Sequence, residues 1–178
     1  MTAPSNQPAL RVGHGYDLHR LEPQAPEGQG RPFVLGTVRI DHDRGPVAHS
    51  DGDALLHAVT DALLGAIAQP DIGQLFPDTD PRHDAQDSRV FLKEALDRVH
   101  AAGYRPTNLD TTVICERPRL SPYKDTIRQA LADLLAIPLD CVNMKGKTHE
   151  KVDAVGENRA IEVHAVVLLE RVASPHRH

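Results

Sequence analysis

The chain has 178 residues, a formal net charge of −5, 40% apolar residues and only 3% aromatic residues. That length suits one domain whose core must be built from Leu, Val, Ile and Ala. The negative balance argues against a general nucleic-acid binder, and the lack of a run of about eighteen apolar residues argues against a membrane-spanning helix.

Residues 1–9 read as a disordered extension, 10–172 as the folded domain and 173–178 as a flexible tail. The opening MTAPSNQPAL has neither the basic region nor the apolar stretch of a secretory signal. A strand is predicted from Leu10 into GHGYDLHR, where Gly13 and Gly15 permit close backbone approach. Asp17 and His19 lie two apart, which in an extended segment puts both side chains on one side, a two-ligand half of a metal site. Residues 21–31 form a surface loop. PFVLGTVRI, 32–40, is predicted as a strand with a bulge at Gly36, and 42–46 as a turn.

A helix follows from about Asp51 to Ala68. Ser50 is its expected N-cap, with Asp51 and Asp53 suiting the dipole of the first turn. Leu55, Leu56, Val59, Ala62, Leu63, Ala66 and Ile67 make a broad apolar face, so the helix is mostly buried. Asp53, His57 and Asp61 recur every fourth residue on one face. Buried, that row is costly unless paired. A divalent metal at His57, with a neighbouring carboxylate orienting the ring, would pair it. A solvent-screened polar stripe is the equal alternative on the helix alone.

The long loop 69–86 carries Asp71, Asp78 and Asp80, whose side chains would read sugar hydroxyls or form Asx-turns. Ser88 is expected to cap a helix to Ala102, with Val90, Phe91, Ala95, Leu96 and Val99 inward and Gly103 as its stop. A strand is predicted over 109–116, a helix from Ser121 and Pro122 to about Ala136, a strand over 141–147 and a long closing strand over 159–171. The fold class is α+β: one domain, a mixed sheet with helices on one face. Cys115 and Cys141 have no CxxC spacing, which fits a reducing cytoplasm rather than a thiolate metal site or disulfide framework.

Asp17, His19 and His57 together would make the three-ligand, open-position arrangement of catalytic zinc. Lys145, Lys147 and Thr148, followed by Glu150, suit phosphate oxygens with Mg²⁺ or Mn²⁺. A metal-assisted reaction on a small phosphorylated, sugar-like substrate would use both sets.

GHGYDLHR, then AHSDGDALLHAVTDALLGAIAQPDIGQLFPDTD, then KTHEK, closely resembles the 2-C-methyl-D-erythritol 2,4-cyclodiphosphate synthases of the non-mevalonate isoprenoid pathway. The likeness runs over about residues 10 to 170. It implies a homotrimer with active sites between adjacent subunits. It also implies conversion of 4-diphosphocytidyl-2-C-methyl-D-erythritol 2-phosphate to the cyclic 2,4-diphosphate with release of CMP. By motif position it implies zinc ligands Asp17, His19 and His57 and a substrate contact at Leu18. His49 and Ser50 would lie beside the diphosphate, with His49 and Thr148 stabilising the transition state. Asp71, Ile72 and Gly73, and Phe76, Pro77, Asp78, Thr79 and Asp80, would form substrate loops. Cys115, Glu116, Arg117, Pro118, Arg119, Leu120 and Ser121 would grip cytosine and phosphates. Lys147, Thr148, His149 and Glu150 would form the strand end where Glu150 holds Mg²⁺ or Mn²⁺. The chain departs from the family at KVDAVGENRA, where Ala154 and Glu157 replace the family's Phe and Arg beside the axial cavity. The same residues also suit a zinc-dependent phosphohydrolase using an activated water, or a catalytically silent nucleotide-binding trimer.

Overall fold

The computed structural model describes residues 7–77 and 84–172. Five strands form one mixed sheet: β4 (Arg44–Pro46), β1 (Leu10–Pro23), β7 (Ala160–Arg171), β5 (Tyr104–Ile114) and β6 (Val142–Lys147), in that spatial order. Only β5 and β6 pair in parallel; β1, β4, β5 and β7 pair antiparallel. A separate hairpin joins β2 (Val34–Leu35) to β3 (Val38–Arg39). The main helices are α1 (Ala54–Ala66), α3 (Arg89–Ala101) and α4 (Lys124–Leu135). Two one-turn helices, α2 (Ile72–Leu75) and α5 (Asp153–Gly156), sit in the connections. The α+β, mixed-sheet expectation is met. No described helix is long and apolar enough to cross a membrane.

β1 alternates along its length. Gly13, Gly15 and Leu21 turn toward the core, whereas Leu10, Val12, Tyr16 and Leu18 are exposed on the opposite face. The core face carries α1, whose Leu55, Leu56, Val59, Leu63 and Leu64 are all buried. Each such side chain contributes about 2 kcal/mol relative to exposure. Contact between strand and helix is backbone to backbone. A Cβ on Gly15 would lie 1.8 Å from the Ala58 carbonyl oxygen, and one on Gly13 would lie 1.8 Å from that of Ala62. These two glycines set the distance between the strand bearing Asp17 and His19 and the helix bearing His57.

Several boundaries differ from expectation. Residues 32–40 are a hairpin and not one bulged strand, because Gly36 and Thr37 both adopt positive φ (56° and 70°), the signature of a tight two-residue turn. The expected turn at 42–46 contains β4, which pairs with β1. α1 starts at Ala54 with Asp53 as N-cap, its carboxylate accepting from the Leu56 N–H at 3.0 Å. Ser50 is excluded from that role by Gly52, whose φ of 77° breaks the chain direction between them. β5 starts at Tyr104, five residues before the predicted strand, because Tyr104 is itself a core residue. Of the segment expected to be disordered, residues 1–6 lie outside the described residues. In the remainder, the Pro8 carbonyl accepts from the Tyr104 hydroxyl at 2.8 Å and the Ala9 carbonyl from the Arg171 N–H at 2.9 Å. The tail, 173–178, also lies outside the described residues.

Candidate active site

Asp17 and His19 project from β1 toward α1, and His57 meets them from the second turn of that helix. Ligand atoms of the three lie within 4.8 Å of one another. Asp17 Oδ2 is 2.8 Å from His19 Nδ1 and 3.3 Å from His57 Nδ1. The His19 and His57 rings are 5.3 Å apart. Neither Asp17 Oδ2 nor His19 Nδ1 makes a properly angled hydrogen bond to a described group, although both are buried. Short distances with poor angles are what donor atoms aimed at a common point produce. Orphaned buried polar atoms are costly. Two imidazoles and a carboxylate converging this way fit a metal ion.

Burial by itself would raise the Asp17 carboxyl, but His19 and His57 outweigh it and hold Asp17 down at about 2. The converse applies to His57. Burial would lower its ring, yet the Asp17 carboxylate keeps it above the ordinary imidazole range. A positive charge in this pocket is therefore favoured, whether it is a proton or a cation.

The polar row on α1 does not act as a unit. Asp53, fully buried, accepts from the N–H groups of Gly36 (2.9 Å), Thr37 (2.7 Å) and Leu56, fastening the β2–β3 hairpin to the helix start. Asp61 accepts from the Ile72 N–H at 2.8 Å and anchors α2. The groups touching the far nitrogen of His57 are hydroxyls instead. Ser88 Oγ is 2.9 Å and Ser50 Oγ 3.2 Å from Nε2. Ser88, expected as a cap for α3, makes no side-chain cap bond there. Its hydroxyl donates to Asp51 Oδ1 and its N–H to Asp51 Oδ2 at 3.0 Å.

A cavity of about 360 Å³ opens beside this cluster, lined among others by Leu18, His19, His49, Ser50, His57, Ile72, Gly73, Phe76 and Phe91. Phe76 and Phe91 pack with tilted rings, their centres 4.6 Å apart, and give it an apolar wall. Arg31 holds the neighbouring backbone, donating to the carbonyls of Ala48 (2.8 Å) and His49 (3.2 Å). Asp71 does not line the cavity. Its carboxylate accepts from the N–H of Gln74 at 2.9 Å and so caps the start of α2. Pro77 is exposed and also outside the lining. Asp78, Thr79 and Asp80 lie outside the described residues.

A second cavity, of about 460 Å³, lies at the end of β5 and β6. It is lined by Cys115, Glu116, Pro118, Arg119, Leu120, Ser121, Lys124, Gly146, Lys147, Thr148 and Glu150. Thr148 Oγ1 donates to Glu150 Oε1 at 3.1 Å. Glu150 and Lys151 both hold positive φ (49° and 62°), a strained backbone of the kind found at binding sites. Arg117 faces a neighbouring cavity. His149 pairs with Asp153 at 2.9 Å. Lys145, read from sequence as part of this basic end, is drawn off to Asp110. Glu157 and Arg159 pair with each other at 2.6 Å.

The family model described as the YgbB family matches residues 10–170. The chain belongs to the YgbB family. Among YgbB-like relatives, the chloroplastic 2-C-methyl-D-erythritol 2,4-cyclodiphosphate synthase of Oryza sativa subsp. japonica is 56% identical over 173 residues, covering 96% of this chain and 75% of that protein. The synthase of Chromobacterium violaceum is 52% identical over 160 residues, covering 90% of this chain and 98% of its own length. A solved structure of 2C-methyl-D-erythritol-2,4-cyclodiphosphate synthase in its CDP-bound form superposes with a TM-score of 0.80 at 41% identity, covering 90% of this chain and all of that one.

Some residues of this YgbB member's cavities escape a reading of motifs. Phe91, on the inward face of its helix, reads as core; only the fold turns it also toward His57, at 5.9 Å between rings. Lys124 had a signal, since a cation in the turn after Ser121 and Pro122 faces the same cavity. Ser88 had none, because its sequence context is that of an ordinary helix cap.

Proposed function

We propose that this chain is a phosphorus–oxygen lyase that cyclises 4-diphosphocytidyl-2-C-methyl-D-erythritol 2-phosphate to 2-C-methyl-D-erythritol 2,4-cyclodiphosphate and releases CMP. The observation that carries this is the convergence of Asp17, His19 and His57 on one point beside a roomy cavity, in a chain matched by the YgbB model over residues 10–170. The relatives described carry the synthase name and not that of a phosphohydrolase.

In this reaction an oxygen of the 2-phosphate forms a bond to the β-phosphorus. The bond from that phosphorus to the oxygen bridging to the α-phosphate breaks, and CMP leaves with the electron pair. The nucleophile is already an anion, so no general base is required. The protein's task is to fold the substrate and to offset crowded negative charge. Zinc held by Asp17, His19 and His57, and Mg²⁺ or Mn²⁺ held near Glu150, would supply Lewis-acid charge neutralisation on the phosphate oxygens. His49 and Ser50 line the metal-side cavity, where they donate to the diphosphate. Thr148, with His49, supports the charge that develops in the transition state. Lys147, Arg119 and Lys124 add fixed positive charge around the phosphates of the cytidine end. Segment Cys115 to Ser121 shapes the nucleotide pocket. Phe76 and Phe91 set an apolar wall on the erythritol side, and water kept out there would disfavour simple hydrolysis.

The reading extends to assembly. The metal-side and nucleotide-side cavities of one chain share no lining residue. In a homotrimer, a complete site would join the metal side of one subunit to the nucleotide side of its neighbour. The exposed outer face of β1 and β7, with Leu10, Val12, Tyr16, Leu18 and Val166, is the surface a homotrimer would cover. A cytoplasmic location goes with this reading.

Incubation of the zinc-loaded protein with the substrate, followed by ³¹P NMR, tests the reading. One CMP per cyclic diphosphate is expected, and turnover stops on chelation. A linear diphosphate or phosphate product would overturn it.

A further inference from the structure

We propose that Ser88, backed by Asp51, is a positioning residue that accepts the Nε2–H of His57 and so commits Nδ1 of that ring to the metal. The inference rests on the metal reading of Asp17, His19 and His57 and adds two residues that touch neither metal nor substrate.

Proton accounting carries the argument. Ser88 is completely buried, so no solvent competes for its hydroxyl. That hydroxyl has one proton, and Asp51 Oδ1 is its acceptor. Asp51 is held to Ser88 by a second bond, from the Ser88 N–H to Oδ2 at 3.0 Å, so the pair cannot swing apart independently. With its proton committed, Ser88 Oγ can meet His57 Nε2, 2.9 Å away, only as an acceptor. Nε2 therefore carries the hydrogen, and the lone pair of the neutral ring is on Nδ1. Nδ1 is the nitrogen facing Asp17 Oδ2 at 3.3 Å. Ser50 Oγ, at the longer 3.2 Å, shares the same N–H while accepting from the Gly52 N–H.

The residue has been diverted from the use its sequence position suggests. A Ser at a helix N-cap ordinarily bonds the third residue of the helix. Ser88 leaves that position uncapped and spends its hydroxyl on a side chain from another helix. A carboxylate–hydroxyl–imidazole chain does for this ligand what a directly bonded carboxylate does in many metal sites: it fixes the ring and raises its basicity.

The test uses full-length protein and two readouts that a merely structural role would not move together. Zinc affinity is measured by competition with a chromophoric chelator, and long-range ¹H–¹⁵N NMR reports the tautomer of His57 in zinc-free protein at alkaline pH, where the ring is neutral. The wild type is expected to show the Nε2–H form. Ser88→Ala is expected to weaken zinc binding by about 10- to 100-fold and to lose the single tautomer, while Ser88→Thr restores part of both. His19→Ala serves as the reference. If it leaves zinc affinity unchanged, the metal reading itself fails. If it removes zinc binding while Ser88→Ala alters neither affinity nor tautomer, the positioning role is overturned and the metal site stands. Should Ser88→Ala not fold, a wild-type ring carrying its hydrogen on Nδ1 overturns the proposal without any variant.

Discussion

Replacing Gly15 with Ala puts one methyl group where the strand meets the helix. The new Cβ would lie 1.8 Å from the Ala58 carbonyl oxygen, 2.7 Å from the Ala62 nitrogen and 2.9 Å from the Ala58 carbonyl carbon. All three are backbone atoms, so no side chain can rotate away. β1 is held in register by β7, with Gly15 opposite Ala165, so the helix must lift. Reaching even a 3.0 Å contact requires about 1.2 Å of separation. Overpacking of this kind costs on the order of 3 kcal/mol. For a chain of this length that corresponds to a melting temperature lower by about 10 °C. The same lift separates Asp17 and His19 from His57, and a site must hold its geometry to about 0.5 Å. Zinc affinity should therefore fall together with stability. Scanning calorimetry on zinc-free protein at fixed concentration, with chelator competition for zinc, reads both effects. Gly65→Ala is the control: its nearest neighbour would be the His14 carbonyl at 3.8 Å, and a helical Gly→Ala change gains up to about 1 kcal/mol. If Gly15→Ala melts with the wild type and binds zinc as well, the backbone-contact account of the site is refuted.

His57→Ala removes one of three converging ligands and should abolish both stoichiometric zinc uptake and turnover while far-UV circular dichroism stays unchanged; normal turnover would contradict the assignment. Glu150→Gln keeps the shape of the strand end and removes its charge, so a higher Mg²⁺ or Mn²⁺ concentration should be needed for half-maximal rate; an unchanged titration would count against Glu150. The two thiols should separate by pH. Burial, reinforced by Glu116, pushes Cys115 up to about 12, so at pH 8 only about one in ten thousand is thiolate, the reactive form. Burial and Asp140 also raise Cys141, but it sits closer to solvent. Iodoacetamide followed by peptide mass mapping should label Cys141 well before Cys115, and labelling of Cys115 should accelerate as pH rises; equal rates at pH 8 would refute the burial argument.

The metal cluster was legible because its spacing carried structural meaning. Asp17 and His19 share a strand side by period two, and His57 sits on a helix whose apolar face was plain. The element order was legible for the same reason. What escaped the sequence were effects of tertiary proximity. The pattern Asp53, His57, Asp61 reads as one polar row, yet the fold sends its carboxylates to Gly36, Thr37 and Ile72, groups far away in sequence. The residues that do hold His57, Ser50 and Ser88, are short hydroxyls with good local uses of their own. The hairpin at 34–39 was missed because Gly-Thr is a weak turn signal beside Asn-Gly. The Asp53 carboxylate supplies the acceptors that make that turn favourable.

The most direct test of the central claim is a crystal grown with zinc and CDP, with diffraction recorded on both sides of the zinc absorption edge. The account predicts one anomalous peak per chain, within about 2.0–2.2 Å of Asp17 Oδ2, His19 Nδ1 and His57 Nδ1, with a diphosphate oxygen at the open position. A peak elsewhere, or none with the three side chains still converging, would contradict it.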